Sequence, residues 1–127
     1  MNSLSAHPGE SLRRSAGARL AEVSVCAAHA MPVPALRQSL RGVRRVAFAR
    51  QVAMYLAHVG CGLNLSQVGQ AFGRDRTTVR HACALVEDRR DQPGFDLGLS
   101  ALEAGLMRLN RRLQDGRLHH GDHPEDR

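Results

Sequence analysis

Leu12, Ala16, Leu20, Val23, Ala27 and Ala30 recur at three- and four-residue spacing, which predicts a first amphipathic helix from Ser11 to Ala30 with that stripe inward. Met31-Pro32 stops it, and Pro34-Ala35-Leu36 reads as a short helix start with proline in its first turn. A helix over 45–59 follows, with Val52, Leu56 and Val59 on one stripe, broken by Gly60-Cys61-Gly62. Next comes the sharpest local signal in the chain. Asn64 is an N-cap, Gln67 closes a capping box three residues later, and Leu63 with Val68 forms a hydrophobic staple. The helix that starts at Leu65 is short, ending at Ala71-Phe72-Gly73.

Asp75 then caps another helix, in which Val79, Cys83 and Val86 fall inward with Ala82 beside them, while Arg76, Thr77, Arg80, His81 and Ala84 face out. Asp91-Gln92-Pro93-Gly94 is a turn. Leu99, Leu102, Leu106, Leu109 and Leu113 space a final helix, whose stripe is expected to close the core of its own domain rather than form a coiled-coil seam. The sum is an all-α domain of about six helices over 11–114, with loose tails at 1–10 and 115–127, no internal repeat and no long linker.

Composition supports helices: aromatics are 3% of 127 residues, and leucine, valine and alanine carry the apolar content. Every one of the 18 positive side chains is arginine. Without lysine, a Gly-x-x-x-x-Gly-Lys phosphate loop, a Schiff base and a Ser-Lys dyad are all excluded from this chain. The net charge of +6 is concentrated in the middle, where ten arginines between Leu36 and Arg90 face three acids. That distribution implies a polyanion as partner, with nucleic acid ahead of an acidic membrane surface, and arginine forks suit phosphate and guanine.

Cys26, Cys61 and Cys83 are odd in number and far apart, which argues for reduced thiols inside a cell. His58-x-x-Cys61 and His81-x-Cys83 are soft ligand pairs, but their spacing lacks a zinc-finger form, so no metal site is expected. No paired carboxylates or Ser-His-Asp arrangement stand out, so the protein is not expected to be an enzyme and no cofactor is called for. Arg19 and Glu22 interrupt any export signal and no apolar run is long enough to span a bilayer, which predicts a cytoplasmic, nucleoid-associated protein.

Two short helices joined by a tight Gly-Arg turn match a helix-turn-helix reader of DNA. In that arrangement the second helix presents free N–H groups and the positive end of its dipole near phosphate, while Arg76, Thr77 and Thr78 reach base edges, flanked by Arg74 and Arg80. Arg41, Arg44 and Arg45 form a basic loop placed to contact the backbone or enter the minor groove.

Three blocks carry a family resemblance: Arg50-Gln51-Val52-Ala53-Met54-Tyr55-Leu56, then 65–72 (LSQVGQAF), then 73–82 (GRDRTTVRHA). In order and spacing they resemble the C-terminal DNA-binding domain of the bacterial replication initiator DnaA, over a stretch from about Leu20 to Leu113. The resemblance implies a recognition helix in the major groove and a basic-loop arginine in the minor groove. By motif position it implies base or phosphate contacts for Asp75, Thr77 and Thr78, backbone approach for Leu65 and Ser66, and a phosphate contact for Arg50. Gln67 and His81 join the candidate DNA-binding set with Arg74, Arg76 and Arg80. Which of Arg41, Arg44 and Arg45 enters the minor groove stays open.

The chain departs from the family pattern in having a single turn glycine, Gly73, and in placing Arg76 where the pattern has histidine. The family's ATPase segment has no counterpart here, which implies a stand-alone reader that binds no nucleotide. The function expected is sequence-specific binding of double-stranded DNA as a transcriptional regulator, with RNA polymerase or another regulatory protein as a further partner. The alternative is a modulator of replication initiation that competes for initiator-type boxes at the origin.

Overall fold

The computed structural model describes the chain over 8–37 and 44–119, with side chains described over 16–36 and 44–115. All regular structure among the described residues is helical: α1 (Pro8–Ala28), α2 (Val33–Arg37), α3 (Arg44–Val59), α4 (Leu65–Phe72), α5 (Arg76–Arg89) and α6 (Pro93–His119). None of these helices is long and apolar enough to cross a membrane.

Helix α3 is the hub, meeting α1, α2, α4, α5 and α6. Its six consecutive residues from Val52 to Ala57 are all buried, so it is covered on nearly every side and not only along one stripe. Val52 and Leu56 lie in the core as their spacing predicts, whereas Val59, at the helix's last turn, is 36% exposed.

The first helix begins at Pro8, three residues ahead of Ser11, and ends at Ala28. Its buried face is also rotated from the predicted one. Ala18, Ala21, Val25 and Cys26 are buried, while Val23, Ala27 and Ala30 are exposed. Alanines explain the phase: Ala18 and Ala21 on α1 and Ala49, Ala53 and Ala57 on α3 are wholly buried, so the helices pack through small side chains at close range. A pattern ranked by side-chain hydrophobicity favours Leu20 and Val23 instead; Leu20 still packs partly on the core, but the backbone approach leaves Val23 outside. Beyond α1 the chain passes through Ala30 at φ 52°, and the guanidinium of Arg45 donates to the His29 carbonyl at 2.5 Å, satisfying a helix-end acceptor.

Along α6, Leu99 and Leu106 are buried and Leu102 is partly buried against the core, but Leu109 and Leu113 are 48% and 39% exposed. The leucine stripe thus closes the core only over its first half.

Candidate nucleic-acid interface

The capping box is present as the sequence requires. Asn64 Oδ1 accepts the Gln67 N–H at 2.8 Å, and Gln67 Oε1 accepts the Asn64 N–H at 2.9 Å. This sets the start of α4 and commits the Gln67 carbonyl oxygen to the cap. Ser66 is exposed beside it, and Leu65 is half-buried against the core.

At its other end α4 closes on Gly73, which adopts the left-handed conformation at φ 68°, ψ 36°. The N–H groups of Gly73 and Arg74 both turn back to the Gly69 carbonyl, the second at 2.9 Å. The turn crosses so closely over α4 that a Cβ on Gly69 would lie 2.5 Å from the Arg74 carbonyl oxygen. Glycine at 69 is therefore a condition of the tight helix-to-helix passage.

Asp75 caps α5, its Oδ1 accepting the Thr78 N–H at 2.8 Å. Hydrogen bonds from Thr78, with a smaller contribution from the Thr77 N–H, hold this carboxyl below its usual range. Val79, Ala82 and Val86 face the core, and Cys83 is half-buried. Arg76, Thr77, Thr78, Arg80, His81 and Ala84 are exposed, forming one outward surface on α5.

Beside this surface, Arg50 and Arg74 approach one another across the α3–α4 junction. Arg50 Nε donates to the Leu36 carbonyl at 3.0 Å, and its pKa is lowered first by burial and then by the Arg74 charge. Both line a cleft of about 240 Å³ with Arg19, Glu22, Leu36 and Phe72. Three guanidinium groups, Arg19, Arg50 and Arg74, share this cleft with the carboxylate of Glu22, so the charge of its lining residues is positive on balance. Arg44 and Arg45, expected in a basic loop, instead form the exposed first turn of α3, with Arg45 tied to His29, and Arg41 lies outside the described residues.

Two arginines that the sequence pattern does not single out hold this surface in place. Arg19 of α1 donates to the Ala71 carbonyl at 3.0 Å, stacks near the Phe72 ring and pairs with the buried Glu22 at 3.0 Å. It anchors the end of α4 from 52 residues away. Arg90, at the C-terminus of α5, donates to Asp96 at 2.6 Å, Ser100 at 2.7 Å, Tyr55 at 2.9 Å and Glu103 at 3.0 Å. Tyr55 in turn donates to Glu87 at 2.7 Å. This network ties α5 to α3 and α6, and no spacing rule reaches across such separations.

The four soft ligands are used separately. His58 Nδ1 contacts the Leu63 carbonyl at 2.6 Å, Cys61 Sγ donates to the Gly17 carbonyl at 3.4 Å, and His81 is exposed on α5. Burial raises both the Cys61 and the Cys83 thiol, Cys61 to about 11. Among the described residues no group of three or more His, Cys, Asp or Glu is placed to hold a metal.

A family model for the bacterial DnaA protein helix-turn-helix matches residues 23–86. The chain is 41% identical over 85 residues to the chromosomal replication initiator protein DnaA of Deinococcus deserti, covering 67% of this chain and 18% of that protein. It is 46% identical over 50 residues to the protein of the same name from Bifidobacterium animalis subsp. lactis, covering 39% and 9%. Against that of Thermoanaerobacter sp. it is 36% identical over 74 residues, covering 58% and 16%. The chain thus spans less than a fifth of the length of these relatives.

Proposed function

The chain belongs to the bacterial DnaA helix-turn-helix family, and from that premise we propose that it is a sequence-specific reader of double-stranded DNA acting as a transcriptional regulator. The observation that carries this reading is the outward surface of α5, where Arg76, Thr77, Thr78, Arg80 and His81 stand exposed behind a capped N-terminus. In the major groove, threonine hydroxyls and methyls meet base edges and thymine methyls, and the Arg76 fork pairs with guanine O6 and N7. Ser66 and Leu65 approach the backbone at the start of α4, where unsatisfied N–H groups favour phosphate. Arg50 and Arg74 hold a phosphate between them, and Arg44, with Arg41 or Arg45, takes the backbone or minor groove on the flank.

Arg76 supports the transcriptional reading. Standing where the family pattern has histidine, it selects a box that differs from the initiator's at one position, by about 1–3 kcal/mol over a wrong base. A reader tuned away from initiator boxes acts at promoters in preference to the origin. The replication-modulator reading rests on the retained Asp75, Thr77 and Thr78 and on the replication initiators among the similar proteins.

Chromatin immunoprecipitation of the intact protein, with an Arg76→Ala/Thr77→Ala double variant as control, separates these outcomes. Peaks upstream of genes, lost in the variant, are the expected result. Peaks concentrated at the origin shift the assignment to replication, and absence of enrichment in either form overturns DNA reading. Selection from a random DNA library tests Arg76 directly, since recovery of the unaltered initiator box contradicts its assigned role.

A further inference from the structure

Helix α1 buries Ala18, Ala21 and Val25 and leaves Val23 outward, with Leu20 partly buried beside it. Leu20 and Val23 face Leu109 and Leu113 of α6 across a groove of about 650 Å³, whose lining is completed by Ala16, Arg19 and Arg112. Val23 is 52% exposed and Leu109 48%. The lining continues along α6 into a second hollow that reaches back to Ala101 and includes Leu102, Leu106 and Arg108. From Ala101 to Leu113 an α-helix rises about 18 Å, room for roughly three turns of a partner helix. Neither hollow takes a residue from α4 or α5, and Arg19 is the one lining residue shared with the Arg50–Arg74 cleft, so this surface lies beside the one proposed to read DNA and opens away from α5.

We propose that this groove docks an acidic amphipathic helix of a partner protein, apolar side chains inward and carboxylates on the arginine rim. Charge selects the occupant. Among the described residues the two hollows are lined by Arg19, Arg108 and Arg112 and by no carboxylate. Arg19 is already paired with Glu22, which leaves Arg108 and Arg112, both exposed and one helical turn apart, as the outer rim. A second copy meeting the same face in a two-fold dimer would set these arginines against one another. A lipid surface calls for a convex apolar ridge, whereas this one is concave between two helices. Nucleic acid offers nothing to cover Leu20, Val23, Leu109 and Leu113. A helix with leucines at three- and four-residue spacing flanked by glutamates satisfies both floor and rim.

The test uses the full chain and a fluorescent synthetic peptide of about sixteen residues, leucines on one face and glutamates beside them, with a lysine-for-glutamate twin. Anisotropy is expected to show the acidic peptide binding at least about tenfold more tightly than its twin, and Leu109→Ser to weaken it about tenfold. Arg112→Glu is expected to invert the preference between the peptides. Binding of library-selected DNA by Leu109→Ser stays within about twofold of the parent, since Leu109 lies off the DNA face. Val23→Ser, on the opposite wall and already exposed, repeats the test if Leu109→Ser loses helicity by circular dichroism. Equal binding of the two peptides, or binding indifferent to both groove substitutions, overturns the proposal. So does failure of both peptides combined with groove-dependent self-association in sedimentation velocity, which assigns the face to a second copy. Groove-dependent binding of phosphatidylglycerol vesicles in place of the acidic peptide assigns it to lipid and overturns it equally.

Discussion

At Asp75 one carboxylate both starts α5 and stands at the edge of the proposed DNA surface. Its pKa is held down by Thr78 and Thr77, so the ionised form is the one the fold favours. A depressed folded pKa contributes stability present above the unfolded value, near 3.9, and lost as pH falls through the lower folded value. The melting temperature is therefore expected to drop on acidification below about pH 4, and less so in Asp75→Ser, which keeps a capping oxygen without the titration. Selection experiments with Asp75→Ser then report the reading role separately from the cap. Tyr55 behaves in the opposite sense. Burial, and then its hydrogen bond to Glu87, push the phenol up to about 12. A raised folded pKa contributes stability fully present below the unfolded value of about 10 and lost as pH rises through the folded one. Unfolding monitored between pH 9 and 12 is expected to reveal this loss in the parent and not in Tyr55→Phe, which costs about 1 kcal/mol near neutrality.

Among the elements, the α4–α5 unit depends on glycine more than on any side chain at its turn. Gly69→Ala places a methyl against the Arg74 carbonyl at 2.5 Å, with backbone on both sides and no flexible group to yield. The expected cost is about 2–3 kcal/mol in denaturant unfolding, and the displaced α5 weakens DNA binding as well. Gly73→Ala, whose added methyl meets open space but whose φ is 68°, costs only about 1 kcal/mol. A Gly69→Ala protein with parental stability contradicts the close crossing. The capping box and the two short helices were legible from residues four or fewer apart, because local hydrogen bonds enforce them. The burial phase of α1 was not, because alanine-on-alanine packing rewards proximity of backbones rather than side-chain hydrophobicity.

For the molecule as a whole, positioning and reading residues are expected to separate by salt. Arg50→Ala weakens binding to every DNA sequence and lowers the slope of log affinity against log salt by about one, whereas Thr77→Ala leaves the slope and relaxes the choice of base by about 1–3 kcal/mol. Titrations at several salt concentrations check both, and identical behaviour of the two variants contradicts their placement. The sequence by itself determined the helical class, the helix-turn-helix and the exposed face of α5, because caps, turn glycines and a 3.6-residue period act within a few residues. The tertiary structure alone decided what holds that face: Arg19 reaching α4 from α1, Arg90 joining three helices, and Arg50 brought against Arg74. It also turned Val23 and Leu109 outward to form a groove. Such contacts link residues tens of positions apart, and their partners follow from how the helices pack, which no local period encodes.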